Sequence, residues 1–171
     1  MGRHDSDEFA VFVVANQASL RRTAYLLCGD WQLASDHVQE GLIRVYRRWG
    51  RIERDGRLHA YAKKAVVSAA LDARRRRSST ELVTDTSAYD GPHPGSDPED
   101  ASDDRTVLLA ALAQLPPRQR ACVVLRYYED LSVAEVADLL GISDGTVKSQ
   151  TSRGIAALQS RFVDHDAELV L

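Results

Sequence analysis

Residues 131–162 read LSVAEVADLLGISDGTVKSQTSRGIAALQSRF. Ser132 followed three residues later by Glu135 is a capping box, in which each side chain satisfies the other's backbone N–H, so a helix is predicted from Val133 through Leu140. Gly141-Ile142-Ser143 is a tight turn, and a further helix is predicted over Asp144–Phe162. Helix, short glycine-containing turn and helix make a helix-turn-helix. On the second helix Val147, Thr151, Ile155 and Leu158 share one face, and Lys148, Ser149, Ser152 and Arg153 share another. A recognition helix needs this division, because one face docks on its own domain while the other offers donors to base edges and phosphates. Lys148 and Arg153 are the candidates for guanine or phosphate contacts. Ser149 and Ser152 are short enough for the backbone to approach a groove. An ordinary helical hairpin with a solvated polar face would share the periodicity but has no need of the capping box, the glycine turn and the small contact residues together.

Helical periodicity continues outward on both sides. Val107, Leu108, Ala111, Leu112 and Leu115 predict a helix stopped by Pro116-Pro117, and Ala121, Val124, Leu125 and Tyr128 predict the next. Residues 105–163 therefore read as one helical domain, with 164–171 as a tail. Toward the N-terminus, Phe9, Phe12, Val13, Leu20, Ala24 and Leu27 mark a helix stopped at Gly29, with Asp30 as the next N-cap. Ala34, Val38, Leu42, Val45 and Trp49 mark a second helix ending at Gly50. A charged loop follows, and then a third helix over Leu58–Arg77. Residues 1–77 thus form another small helical domain. Between the two, 78–104 has no apolar periodicity, three prolines and eight acids, and reads as a disordered acidic linker. The fold class is all-α: two small helical domains joined by a flexible tether.

The charge is strongly segregated. The whole chain of 171 residues carries a net −3, yet residues 41–77 carry twelve basic and three acidic groups, whereas 78–104 carry no Lys or Arg. That local excess is a polyanion-binding footprint which a net charge averages away. Four consecutive arginines, Arg74–Arg77, would repel one another without an anion.

Other classes drop out. No apolar run is long enough to cross a bilayer, and the polar, acidic N-terminus lacks the apolar core of a signal peptide, so a cytoplasmic location is expected. Cys28 and Cys122 sit in apolar helical runs and read as small buried hydrophobes. The five histidines are scattered, so no metal site is expected. No phosphate-binding glycine loop or nucleophile–base pair is present, so no cofactor, small-molecule substrate or enzymatic activity is expected.

The runs DHVQEGLIRVYRRW (36–49), LHAYAKKAVVSAALDARRRR (58–77) and LPPRQRACVVLRYYEDLSVAEVADLLGISDGTVKSQTSRGIAAL (115–158) resemble an extracytoplasmic-function sigma factor of bacterial RNA polymerase, of the short actinobacterial sigma-E-like kind. The resemblance covers nearly the whole chain outside the linker and the last few residues. It implies a sigma domain two at 1–77 and a sigma domain four at 105–163, with no domain three between them. It implies that Asp36, Gln39 and Glu40, with Arg44 and Arg47, bind core RNA polymerase. It assigns capture of the melted minus-ten promoter element to Arg51, Arg54, Arg57, Lys63, Lys64, Ser68, Asp72, Arg74, Arg75, Arg76 and Arg77. It assigns reading of the minus-thirty-five element to Thr146, Val147, Lys148, Ser149, Ser152 and Arg153. The implied partners are core RNA polymerase, promoter DNA and an anti-sigma protein, and the implied role of the acidic linker is to lie in a basic polymerase channel. Ser68 stands where the family usually has Asn, and Gln150 where it often has Arg; both bear on which promoter is read. A stand-alone helix-turn-helix regulator is the competing reading, although neither a ligand pocket nor a dimerisation helix accompanies the motif.

Overall fold

The computed structural model describes residues 3–52, 57–80 and 103–168. The chain divides into two units, Met1–Thr86 and Ser87–Leu171, and the described residues hold helices and turns without strands.

In the first unit α1 spans Arg3–Cys28, α2 Trp31–Tyr46 and α3 Leu58–Thr80. The α1–α2 corner follows from chemistry legible in the chain. Gly29 takes φ +79°, a left-handed conformation open to glycine without cost, and its N–H donates to the Tyr25 carbonyl at 2.7 Å. Asp30 then caps α2, its carboxylate accepting from the Leu33 N–H at 2.7 Å. Tyr25 stacks on Trp31 with ring centroids 4.0 Å apart, and the Arg21 guanidinium lies 4.8 Å from the Trp31 ring, which holds the two helices at this hinge. Leu20, Ala24, Ala34, Val38, Val45, Ala62, Val66 and Val67 fill the core.

The second helix ends earlier than its periodicity predicts. It stops at Tyr46, and Trp49–Arg51 forms a separate 3-10 turn that carries Trp49 into the core. The cause is aromatic packing, since Trp49 meets Phe9 edge-on at 5.0 Å and Phe12 at 5.6 Å. The third helix ends later than expected, at Thr80 rather than Arg77, and α4 begins at Asp103. The edges assigned to the linker, 78–80 and 103–104, are therefore helical. Arginine is a good helix former, and Asp103 and Asp104 favour a helix N-terminus. Residues 81–102, on which the expectation of disorder falls, lie outside the described residues.

Helices α2 and α3 pack tightly at Gly41, where an added Cβ would stand 2.5 Å from Val66 Cγ2 and 2.9 Å from its Cα. Alanine raises helix propensity by about 1 kcal/mol, but overpacking costs roughly 1–3 kcal/mol, and part of this clash is with backbone, which cannot rotate away. Gly41→Ala is expected to destabilise the first unit by about 1–2 kcal/mol. Chemical denaturation should show a lower midpoint at unchanged slope.

In the second unit α4 spans Asp103–Ala113, α5 Pro117–Val123, α6 Val133–Leu140 and α7 Asp144–Glu168. Pro117 opens α5 at a position where no backbone N–H is needed. From Val124 to Tyr128 the helix continues with π-type spacing, and the Glu129 N–H reaches back to the Val124 carbonyl at 3.1 Å. The wider turn leaves Tyr127 and Tyr128 exposed, so Tyr128 does not join the core as its spacing predicts. The capping box forms: Glu135 N–H donates to Ser132 Oγ at 3.2 Å, and Ser132 N–H to Glu135 Oε2 at 2.7 Å. Gly141 ends α6 in the left-handed region at φ +65°, and Ser143 caps α7 by accepting from the Thr146 N–H at 3.2 Å. Helix α7 runs to Glu168, through most of the segment expected to be a tail; 169–171 lie outside the described residues. Cys122 is fully buried, and burial pushes its thiol above the usual range, whereas Cys28 is only half-buried.

Candidate nucleic-acid and partner interfaces

Helix α2 buries Ala34, Val38 and Val45, which turns Asp36, Gln39, Glu40 and Arg47 to solvent. Arg44, grouped with them from sequence, is drawn toward α3 instead. Its Nε lies 3.1 Å from Glu40 Oε1 and its Nη1 3.5 Å from Asp72 Oδ2. Arg44 therefore bridges a carboxylate assigned to polymerase binding and one assigned to the minus-ten element. It braces the two helices, and Asp72 faces it while staying a third exposed. Ile43 and Tyr46, not singled out from sequence, are 47% and 39% exposed on the same side of α2. The available signal was that both are large apolar residues lying off the α2 stripe.

The basic surface is partly reassigned. Arg51, Arg57, Lys64 and Arg76 are exposed, and Ser68 is half-buried. Lys63 is buried at 9% exposure, because it shares the inward side of α3 with Ala62, Val66 and Val67. It is thereby removed from the set of cations facing solvent. Arg76 Nε donates to the Asp72 carbonyl at 3.4 Å, a contact along its own helix. Arg54 lies outside the described residues, and Arg74, Arg75 and Arg77 are described only as helical backbone. Arg48, not singled out from sequence, is exposed and reaches Tyr61 Oη at 3.4 Å, tying the end of α2 to α3.

On α7 the two faces separate as the spacing predicts. Lys148, Ser149, Ser152 and Arg153 are exposed, whereas Val147 and Leu158 are buried at 0% and 7% exposure. Val147, assigned to the minus-thirty-five element by resemblance, is thus a packing residue. The Thr146 and Ser143 hydroxyls lie 2.8 Å apart, so Thr146 belongs to the cap of the helix. Ser149 Oγ donates to the Thr146 carbonyl at 3.0 Å, which leaves its oxygen free to accept. Gly154 lets α7 sit against α5, where an added Cβ would lie 2.6 Å from Val123 Cγ2. A groove of about 440 Å³ runs from Lys148 and Ser152 to Arg126 and Tyr127. Arg126 and Tyr127, which belong to the π-type turn, were not singled out from sequence. Among the described residues no group of three or more metal-ligating side chains occurs, and no helix is long and apolar enough to cross a membrane.

Comparison with known proteins agrees with this layout. A family model described as Sigma-70 region 2 matches residues 12–80, and one described as Sigma-70, region 4 matches 105–158. The RNA polymerase sigma-E factor of Streptomyces coelicolor is 35% identical over 164 residues, covering 94% of this chain and 89% of that one. The ECF RNA polymerase sigma factor SigE of Mycolicibacterium smegmatis is 34% identical over 151 residues, covering 86% of this chain and 58% of that one. Among solved structures, the sigma factor RpoE from Bartonella quintana, crystallised with the anti-sigma factor NepR, matches with a TM-score of 0.71 at 23% identity. That match covers 91% of this chain and 96% of the other and concerns the fold. Two family regions in order on one chain, together with relatives alike over nearly its whole length, show that this protein belongs to the sigma-70 family as an extracytoplasmic-function sigma factor of RNA polymerase.

Proposed function

We propose a division of labour among the faces described above. The exposed side of α2, with Asp36, Gln39, Glu40 and Arg47, binds core RNA polymerase. The cations along α3 and the turn before it capture the melted minus-ten strand. The exposed side of α7 reads the minus-thirty-five element in duplex DNA. The observation that carries this reading is the separation on α7 between buried Val147 and Leu158 and exposed Lys148, Ser149, Ser152 and Arg153, because it leaves donors where a major groove would receive them.

The mechanism needs binding alone. Phosphate attraction and capture of unstacked bases favour the open strand over the duplex, so differential affinity drives melting. Two weak DNA sites on one tether gain by effective concentration. The acids of the tether repel DNA and suit a basic channel of polymerase. The protein acts in the cytoplasm and has no catalytic centre of its own. An anti-sigma protein holds it in check, a proposal supported by the anti-sigma complex of its structural neighbour.

A mobility-shift assay separates this reading from that of a free-standing regulator. The chain alone should bind promoter duplex weakly and without much preference, and adding core polymerase should produce a specific complex. Strong specific binding by the chain alone would favour the regulator.

A further inference from the structure

The α2 face carries one feature that its polar residues do not explain. Ile43 is 47% exposed, and its neighbours on the helix surface at i−4, i−3 and i+4 are Gln39, Glu40 and Arg47, all facing solvent. An apolar side chain inside a polar ring is the arrangement that concentrates binding energy at interfaces, because the surrounding polar groups exclude water from the centre. Ile43 is β-branched and stiff in a helix, so seating it costs little side-chain entropy. Tyr46, three residues on, is held 4.8 Å from Phe9 of α1 and supplies a fixed wall beside it.

We propose that Ile43 is the apolar anchor by which α2 seats on core polymerase. This rests on the assignment of the α2 face to polymerase binding. The charges define the occupant further. Asp36 and Glu40 precede Ile43, and Arg47 and Arg48 follow it. The complementary polymerase surface has an apolar notch, basic groups toward the start of α2 and acidic groups toward its end. Val11 and Val14 on α1 are more exposed, at 70% and 74%, but are outside this ring and serve as an internal contrast.

The test is titration of fluorescently labelled full-length chain with core polymerase at about 0.1 M and about 0.5 M salt, with thermal melting of each variant in parallel. Ile43→Ala is expected to weaken binding about tenfold or more at both salt concentrations, since the loss is apolar. Ile43→Leu should bind within about twofold of the parent and Ile43→Glu should not bind, with melting close to the parent because Ile43 lies outside the core. Val14→Ala should bind like the parent. The Gln39→Ala/Glu40→Ala variant should also lose affinity, by a factor that shrinks with salt. If that double variant loses binding but Ile43→Ala does not, the anchor is elsewhere on the face. If neither loses binding, the assignment of the face to polymerase falls, and the anchor with it. Equal loss in Ile43→Leu and Ile43→Ala, or a loss in Val14→Ala as large as in Ile43→Ala, overturns the anchor as well.

Discussion

Replacing Gln39 and Glu40 together by alanine is expected to weaken binding to core polymerase by about thirtyfold while leaving the fold intact. Both side chains are exposed on α2, away from Ala34, Val38 and Val45, so their removal opens no cavity. In an interface, truncating one partner of a hydrogen-bonded charge pair costs roughly 2–5 kcal/mol, and the lower end corresponds to that factor. The intramolecular consequence is smaller. Glu40 pairs with Arg44 at half-exposed positions, where such pairs contribute about 0–1 kcal/mol, and Arg44 keeps Asp72 as a partner. Equilibrium binding to core polymerase, with melting as a control, checks this. Normal binding would mean that polymerase docks elsewhere.

Arg153→Ala is expected to reduce promoter use by about tenfold or more. Arg153 is exposed on α7, beside Ser149 and Ser152, and its guanidinium is the planar, two-pronged donor of that face. A bidentate contact to guanine is worth roughly 1–3 kcal/mol of discrimination. The pattern of loss identifies the ligand. If Arg153 reads a base, preference should relax at one position of the upstream element. If it holds a phosphate, every promoter should weaken alike and the salt slope should fall by about one. Transcription across a set of promoters and salt concentrations distinguishes the two, and parental behaviour throughout would place the recognition face elsewhere.

The elements most legible in the sequence are those with local causes. Ser132 with Glu135, the left-handed Gly141 and the Gly29-Asp30 corner are each set by residues within one helical turn, and the structure places them where their chemistry predicts. What could not be read depends on contacts distant in sequence. The early end of α2 follows from Trp49 meeting Phe9 and Phe12, about forty residues away along the chain. The π-type turn at Val124–Tyr128 shifts the helix face by one residue without any glycine or proline to announce it. At the candidate interfaces, residue type was informative about which stretches are basic and which face of α7 is exposed. It could not distinguish Lys64, exposed, from Lys63, buried one position earlier, because a lysine stem packs on an apolar surface as well as in water. Nor could it tell that Arg44 turns inward to Asp72, since a charge does not name its partner. Nor does an apolar residue type by itself tell an exposed Ile43 or Tyr46 from one in the core.

The most direct test of the central claim, that this chain gives core RNA polymerase its promoter choice through two separate DNA readings, is in vitro transcription from a genomic promoter library with core polymerase and the purified chain. Specific transcripts should appear only when both are present, and their start sites should share two upstream sequence blocks, one near minus ten and one near minus thirty-five. Transcripts indistinguishable from those of core polymerase alone, or start sites sharing no such pair of blocks, would contradict it.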